Sequence, residues 1–86
     1  MNKIFLTGKI KNIRYGLVDK GKIYAIAILK LKVKNSKNYI TAICKNKNAD
    51  MVYRVSKKDS NIIIEGYLRQ IKKQYIVVID IIESIF

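Results

Sequence analysis

The sequence predicts an all-β protein: a five-stranded barrel with one short helix between the third and fourth strands. Three observations carry that prediction. β-branched and polar residues alternate with period two in five separate stretches. That period breaks once, between residues 46 and 58. Gly8 and Gly66 fall inside two of the stretches, where they weaken a flat sheet but permit the sharp coiling of a small barrel.

The first stretch covers Lys3 to Tyr15, with Ile4, Leu6, Gly8 and Ile10 on one face and Phe5, Thr7, Lys9 and Lys11 on the other. Gly16, Asp19 and Gly21 predict the turn that follows. The second stretch covers Lys22 to Lys34 and ends in strict alternation, with Leu29, Leu31 and Val33 inward and Lys30, Lys32 and Lys34 outward. Asn35 to Asn38 predicts a turn into the third, Tyr39 to Lys45, whose Ile40, Ala42 and Cys44 oppose Tyr39, Thr41, Ile43 and Lys45. From Asn46 to Lys58, Met51, Val52 and Val55 stand at helical spacing, with Asn48 or Asp50 as the expected cap. This short helix should plug one end of the barrel. Asp59-Ser60-Asn61 ends it. The fourth stretch, Ile62 to Ile71, turns Ile62, Ile64, Gly66 and Leu68 inward and Ile63, Glu65, Tyr67, Arg69 and Lys73 to the other face. A turn at Lys72-Lys73-Gln74 leads to the fifth, Tyr75 to Ile85, apolar on both faces through Ile76-Val77-Val78-Ile79 and so expected to be covered on both. The order β-β-β-α-β-β is that of the OB fold. Closure also removes the exposed edges that a chain rich in Ile and Val must avoid. The alternative is an α+β sandwich with one helix on a meander.

Eighty-six residues make one domain, and 50% apolar content gives it a core without disulfides. Eighteen basic residues against six acidic ones leave a formal charge of +12. Such an excess attracts a polyanion, nucleic acid first. An AT-rich genome would also inflate Lys, Ile, Asn and Tyr, but it would not keep Glu rare. Cys44 is the single cysteine and there is no histidine, so the chain holds no internal disulfide or ordinary zinc site, and a reducing compartment fits. Gly8 and Lys9 cut off the apolar start too early for a signal peptide, and Lys or Arg interrupts every apolar run. The expectation is a cytoplasmic, nucleoid-associated or organellar stromal protein. Neither a nucleophile–base pair nor a paired-carboxylate spacing is present, so no enzymatic activity, cofactor or metal is expected.

The outward residues of the second, third and fourth stretches make the candidate site: Lys30, Lys32 and Lys34; Tyr39, Thr41 and Lys45; Tyr67, Arg69 and Lys73. Cations interleaved with aromatic rings suit single-stranded nucleic acid, whose phosphates need neutralising and whose bases lack a stacking partner. Tyr39 and Tyr67 are the expected stacking platforms, and Tyr24 and Tyr75 are second-rank candidates. Tyr15, Tyr53 and Tyr24 otherwise read as half-buried structural residues. Glu65 is expected to set register or to pair with Arg69 or a lysine.

The run Asn2-Lys3-Ile4-Phe5-Leu6-Thr7-Gly8-Lys9-Ile10 resembles the first strand of bacterial-type single-stranded DNA-binding proteins. Ile62-Ile63-Ile64-Glu65-Gly66-Tyr67-Leu68-Arg69 resembles their fourth, which carries an aliphatic residue, Glu, Gly, any residue, Leu and a basic residue. The likeness implies an OB fold that binds single-stranded DNA without sequence preference in replication, recombination or restart. It implies a homodimer or homotetramer and, as possible partners, replication or recombination proteins. The family stacks bases on several aromatic positions. Tyr39 falls on one of them, while Lys45, Lys73 and, more loosely, Lys34 fall at others. The loop between the second and third strands is short, and the family's acidic-tipped tail is expected to be missing, since Phe86 closes the fifth stretch. That pattern is similar to the tailless primosomal replication protein B and to plastid-encoded or mobile-element relatives. An RNA-binding OB protein and an OB-fold adaptor of a replication complex remain the alternatives. A membrane-surface role is disfavoured, because no basic amphipathic helix is present.

Overall fold

The structure, a computed structural model, describes residues 2–86. Its elements are β1 (Lys3–Asp19), β2 (Ile23–Val33), β3 (Tyr39–Lys45), α1 (Asn46–Val55), β4 (Asn61–Ile71) and β5 (Gln74–Ile85). The strands close into one barrel in the order β1-β2-β3-β5-β4. This is the OB fold, with its helix where the sequence predicts it. All ladders are antiparallel except β3 with β5, a parallel seam of three residue pairs.

The inward sets come from the alternation. Ile10, Leu29, Leu31, Ala42, Ile62, Ile64 and Val77 are fully buried, joined from the helix by Ala49 and Val52. Each aliphatic side chain so buried contributes about 1.5–3 kcal/mol. Gly66 is required by a close approach: a Cβ there would collide with the carbonyl oxygen and backbone of Val78. The β4–β5 register slips beside it, between Glu65 and Gly66. Such a bulge bends the pair around the barrel.

β1 departs from its expected length. Gly16 does not turn the chain but pairs with Ile26, and the ladder runs on to Asp19 opposite Ile23. The reversal occurs at Gly21, φ 82°, whose N–H donates to Asp19 Oδ1 at 3.2 Å. A bulge between Ile10 and Asn12 flips the alternation, so Ile13 and Tyr15 join the core side beyond it. The helix also differs in detail. It stops at Val55, and Ser56 at its C-terminus bonds back to the Val52 carbonyl through both its N–H and its hydroxyl. Neither expected residue caps its start: the N-cap is Lys45 and no side chain bonds the first turn. Asn48 instead donates to the Asp80 carbonyl, and Asp50 accepts from the Tyr15 hydroxyl at 2.6 Å. Tertiary partners on β5 and β1 outbid the local cap for these two side chains.

Candidate nucleic-acid interface

The strand order corrects one feature of the expected site. Strands two and three pair, but strand four does not adjoin strand three, because β5 lies between β3 and β4. β4 takes β1 on one side and its hairpin partner β5 on the other, which leaves β5 to close against β3. The registers arrange the outer face in rows across the strands. One row runs Lys30, Thr41, Ile76, Arg69. The next runs Ile28, Ile43, Val78, Tyr67 and reaches Lys3 on β1. The face is therefore an apolar floor of Ile28, Ile43, Ile76 and Val78 with cations and tyrosines around it. Tyr39 and Tyr67 stand on opposite sides of that floor, exposed by 51% and 36%.

Two diagonal contacts hold aromatic rings beside cations. Lys30 Nζ lies 5.2 Å from the centre of the Tyr39 ring, and Lys45 Nζ lies 5.6 Å from that of Tyr24. Diagonal neighbours on paired strands are within reach of long side chains, which places each ammonium over a ring. Neither ion pair among the described residues, Lys3–Glu65 at 3.4 Å and Lys11–Asp59 at 2.5 Å, involves a cation of this face from β2 or β3. Glu65 thus pairs with Lys3 and not with Arg69, since residues four apart along a strand are too distant to meet.

Lys73 is displaced from its expected place. It does not line the β4 face; with Lys72 it forms the two-residue tip of the β4–β5 hairpin, both residues left-handed at φ 47° and 66°. Lys34 stands just past β2, where its N–H donates to the Thr7 carbonyl at 2.9 Å. Tyr75 is exposed but alternates with Ile76, so it leaves the hairpin on the opposite side.

Two of the remaining tyrosines meet at the helix, where Tyr53 is exposed and not half-buried as expected. Tyr15 stacks on Tyr53 with ring centroids 4.3 Å apart. The hydrogen bond to Asp50 raises the Tyr15 hydroxyl above its ordinary pKa. Tyr24, in contrast, belongs with the outer face through Lys45. The hydrogen bond between Lys11 and Asp59 raises the pKa of the ammonium and lowers that of the carboxyl. Cys44 points inward as expected, and burial pushes its thiol up to about 11.

The sequence reading missed a second basic surface. Lys9 pairs with Lys32, and Lys32 with Tyr39, so one row carries charge from β3 across β2 onto β1. There a groove of about 630 Å³ opens, lined by Lys9, Lys11, Lys32, Lys34, Asn61 and Phe86 among others. The outward alternation of Lys9 and Lys11 was visible, but their register against β2 was not.

No family model matches the sequence, and no curated protein matches it. Solved structures do match in fold. The SSB domain of a Synechococcus sp. protein superposes with TM-score 0.84 at 12% identity, covering 98% of this chain and 96% of that one. The PriB protein of Ralstonia solanacearum gives 0.79 at 15% identity, covering 96% of each chain. A small single-stranded DNA-binding protein from Mycoplasma pneumoniae gives 0.62 at 22% identity, covering 98% of this chain and 86% of that one. The chain has the OB barrel in the form it takes in SSB domains, PriB and small single-stranded DNA-binding proteins.

Proposed function

We propose that this protein binds single-stranded DNA without sequence preference, on the outer face of β2, β3, β5 and β4. The observation that carries the reading is the pair of exposed rings, Tyr39 and Tyr67, on a face whose β2 and β3 lysines have no carboxylate partner among the described residues. Phosphates supply the missing counter-charge, and unpaired bases supply faces for the rings. The apolar floor between the rings gives sugars and base edges a surface that excludes water. Duplex DNA offers the same phosphates but keeps its bases stacked inward, so it should bind more weakly. The likeness in fold to proteins described as binding single-stranded DNA supports DNA as the first partner to test.

The test is a titration of labelled oligo-dT, with duplex and RNA competitors, at two salt concentrations. Single-strand binding loses about 0.7 in log–log salt slope per phosphate contacted, so about four to six contacts give a slope near −3 to −4. Equal competition by duplex, or affinity indifferent to salt, overturns the reading. RNA that outcompetes DNA moves the assignment to RNA.

The protein should also self-associate. Phe5, 70% exposed, pairs across Glu65 with Ile81 on the outer face of β1, β4 and β5. Lys3 to Leu6 pair with β4 on one side only, which leaves their other edge open to a second copy.

A further inference from the structure

The groove beside β1 has the composition of the outer face on a smaller scale. Lys9, Lys11, Lys32 and Lys34 line it, and Phe86, 65% exposed, lines it too. Its floor is backbone: Gly8 is buried, and a Cβ there would sit 3.1 Å from the Lys32 carbonyl oxygen. Asn35, φ 60°, and Asn61 add amide groups to its rim. Of its four lysines, Lys11 is held by Asp59. Lys9, Lys32 and Lys34 enter no ion pair among the described residues. Three cations converging on one concavity, with Asp59 the one carboxylate side chain shown beside them and already held by Lys11, repel each other until an anion joins them.

The groove is continuous with the outer face. Tyr39, Lys32 and Lys9 are direct cross-strand partners, so adjacent strands about 4.8 Å apart carry them in one line. A single strand stacked on Tyr39 that continues past Lys32 arrives over Lys9 and Phe86.

We infer that this groove binds a further stretch of the same single strand, with Lys9 and Lys34 on its phosphates and Phe86 under a base. The inference rests on the reading above and extends the bound path around the barrel, from the sheet face over β2 and onto β1. It predicts that affinity grows with oligonucleotide length beyond what the sheet face accommodates.

Binding of oligo-dT of about 6 and about 16 nucleotides, a span typical of one OB barrel, separates the two surfaces. The variants are Lys9→Glu, Phe86→Ala and Tyr39→Ala, each checked for an unchanged thermal melt. Lys9→Glu should weaken the longer oligonucleotide about tenfold, reduce its salt slope by about 0.7 or more, and leave the shorter one as in wild type. Phe86→Ala should weaken the longer one about fivefold or more with its salt slope unchanged. Tyr39→Ala should weaken both. The amides of Lys9 and Asn61 should shift in NMR spectra with the longer oligonucleotide and stay in place with the shorter. The groove is excluded if Lys9→Glu and Phe86→Ala affect neither length, or both lengths equally, while Tyr39→Ala weakens both. If wild type binds neither length, the single-strand reading itself fails, and the groove falls with it.

Discussion

On the proposed reading, stacking on Tyr39 and charge on Lys30 beside it are separable by salt. Lys30 lies over the Tyr39 ring, and half of Tyr39 is exposed to solvent. Replacing Tyr39 by Ala should weaken oligo-dT binding by about 1–3 kcal/mol and leave the salt slope nearly unchanged, because stacking is hardly screened. Lys30→Ala should lose less at high salt and lower the slope by about 0.7. Parallel shifts of the two variants across a salt series would contradict this division of labour. Cys44 reports on the core in the opposite sense. Burial raises its pKa to about 11, so the folded state favours the neutral thiol. An unfolded cysteine ionises near pH 8.5. Stability is therefore complete below that pH and declines as pH rises towards about 11, where the folded thiol also ionises. Cys44→Ala should flatten this part of the alkaline unfolding curve relative to wild type. Near neutral pH a thiol reagent should modify Cys44 only as fast as the protein opens. Immediate modification would show an accessible thiol.

At the scale of elements, the local rules this chain breaks fall on lysines. Lys45 stands at the helix N-cap, where Ser, Thr, Asp or Asn would bond the first turn. Lys72 and Lys73 form a two-residue hairpin tip in left-handed conformations that suit Asn-Gly. A lysine held left-handed costs about 1 kcal/mol or more. On the proposed single-strand reading, charge at the hairpin tip would be the compensating gain, since rule-breaking residues concentrate at functional sites. Lys72→Asn combined with Lys73→Gly should raise unfolding free energy by about 1–2 kcal/mol in urea titration and weaken oligo-dT binding. Greater stability with unchanged affinity would remove the tip from the interface. These places also mark where sequence stops being informative. Strand existence and facing followed from side chains alternating within one stretch, as at Leu29 to Lys34. The helix caps and the β1 turn did not follow, because Asp50, Asn48 and Gly16 are occupied by partners 35, 32 and 10 residues away. The sequence places Lys73 both in the turn at Lys72-Lys73-Gln74 and on the fourth-strand face; the turn is where it lies, because the β4–β5 ladder ends at Ile71 opposite Gln74.

For the whole molecule, the sequence order of strands hid which ones adjoin. Tyr39 and Tyr67 were legible as outward residues, but β5 between them was not, since a parallel closure leaves no mark within either strand. The groove was illegible for the same reason: Lys9 and Phe86 lie at opposite ends of the chain. Self-association belongs to this scale as well. Light scattering at micromolar concentration should report a dimer or tetramer, and Phe5→Lys should shift it towards monomer; a wild-type monomer contradicts the open-edge argument. Barrel closure has a kinetic side too. β1 to β3 form a meander and β4 with β5 a hairpin, both built from nearby residues. The three-pair parallel seam joins segments more than thirty residues apart, and parallel pairing is slightly weaker per residue. β1 with β4 closes still longer loops, but over seven pairs. The seam offsets its closure cost with three, so it should form late and open early. Amides of the β3–β5 seam should accordingly exchange with solvent faster than those of Leu29 or Leu31. A nucleic acid strand lying from Tyr39 to Tyr67 crosses that seam, so it would act as a clasp. Bound oligo-dT should slow exchange at the seam most of all, turning the least durable join of the barrel into the one the ligand holds shut.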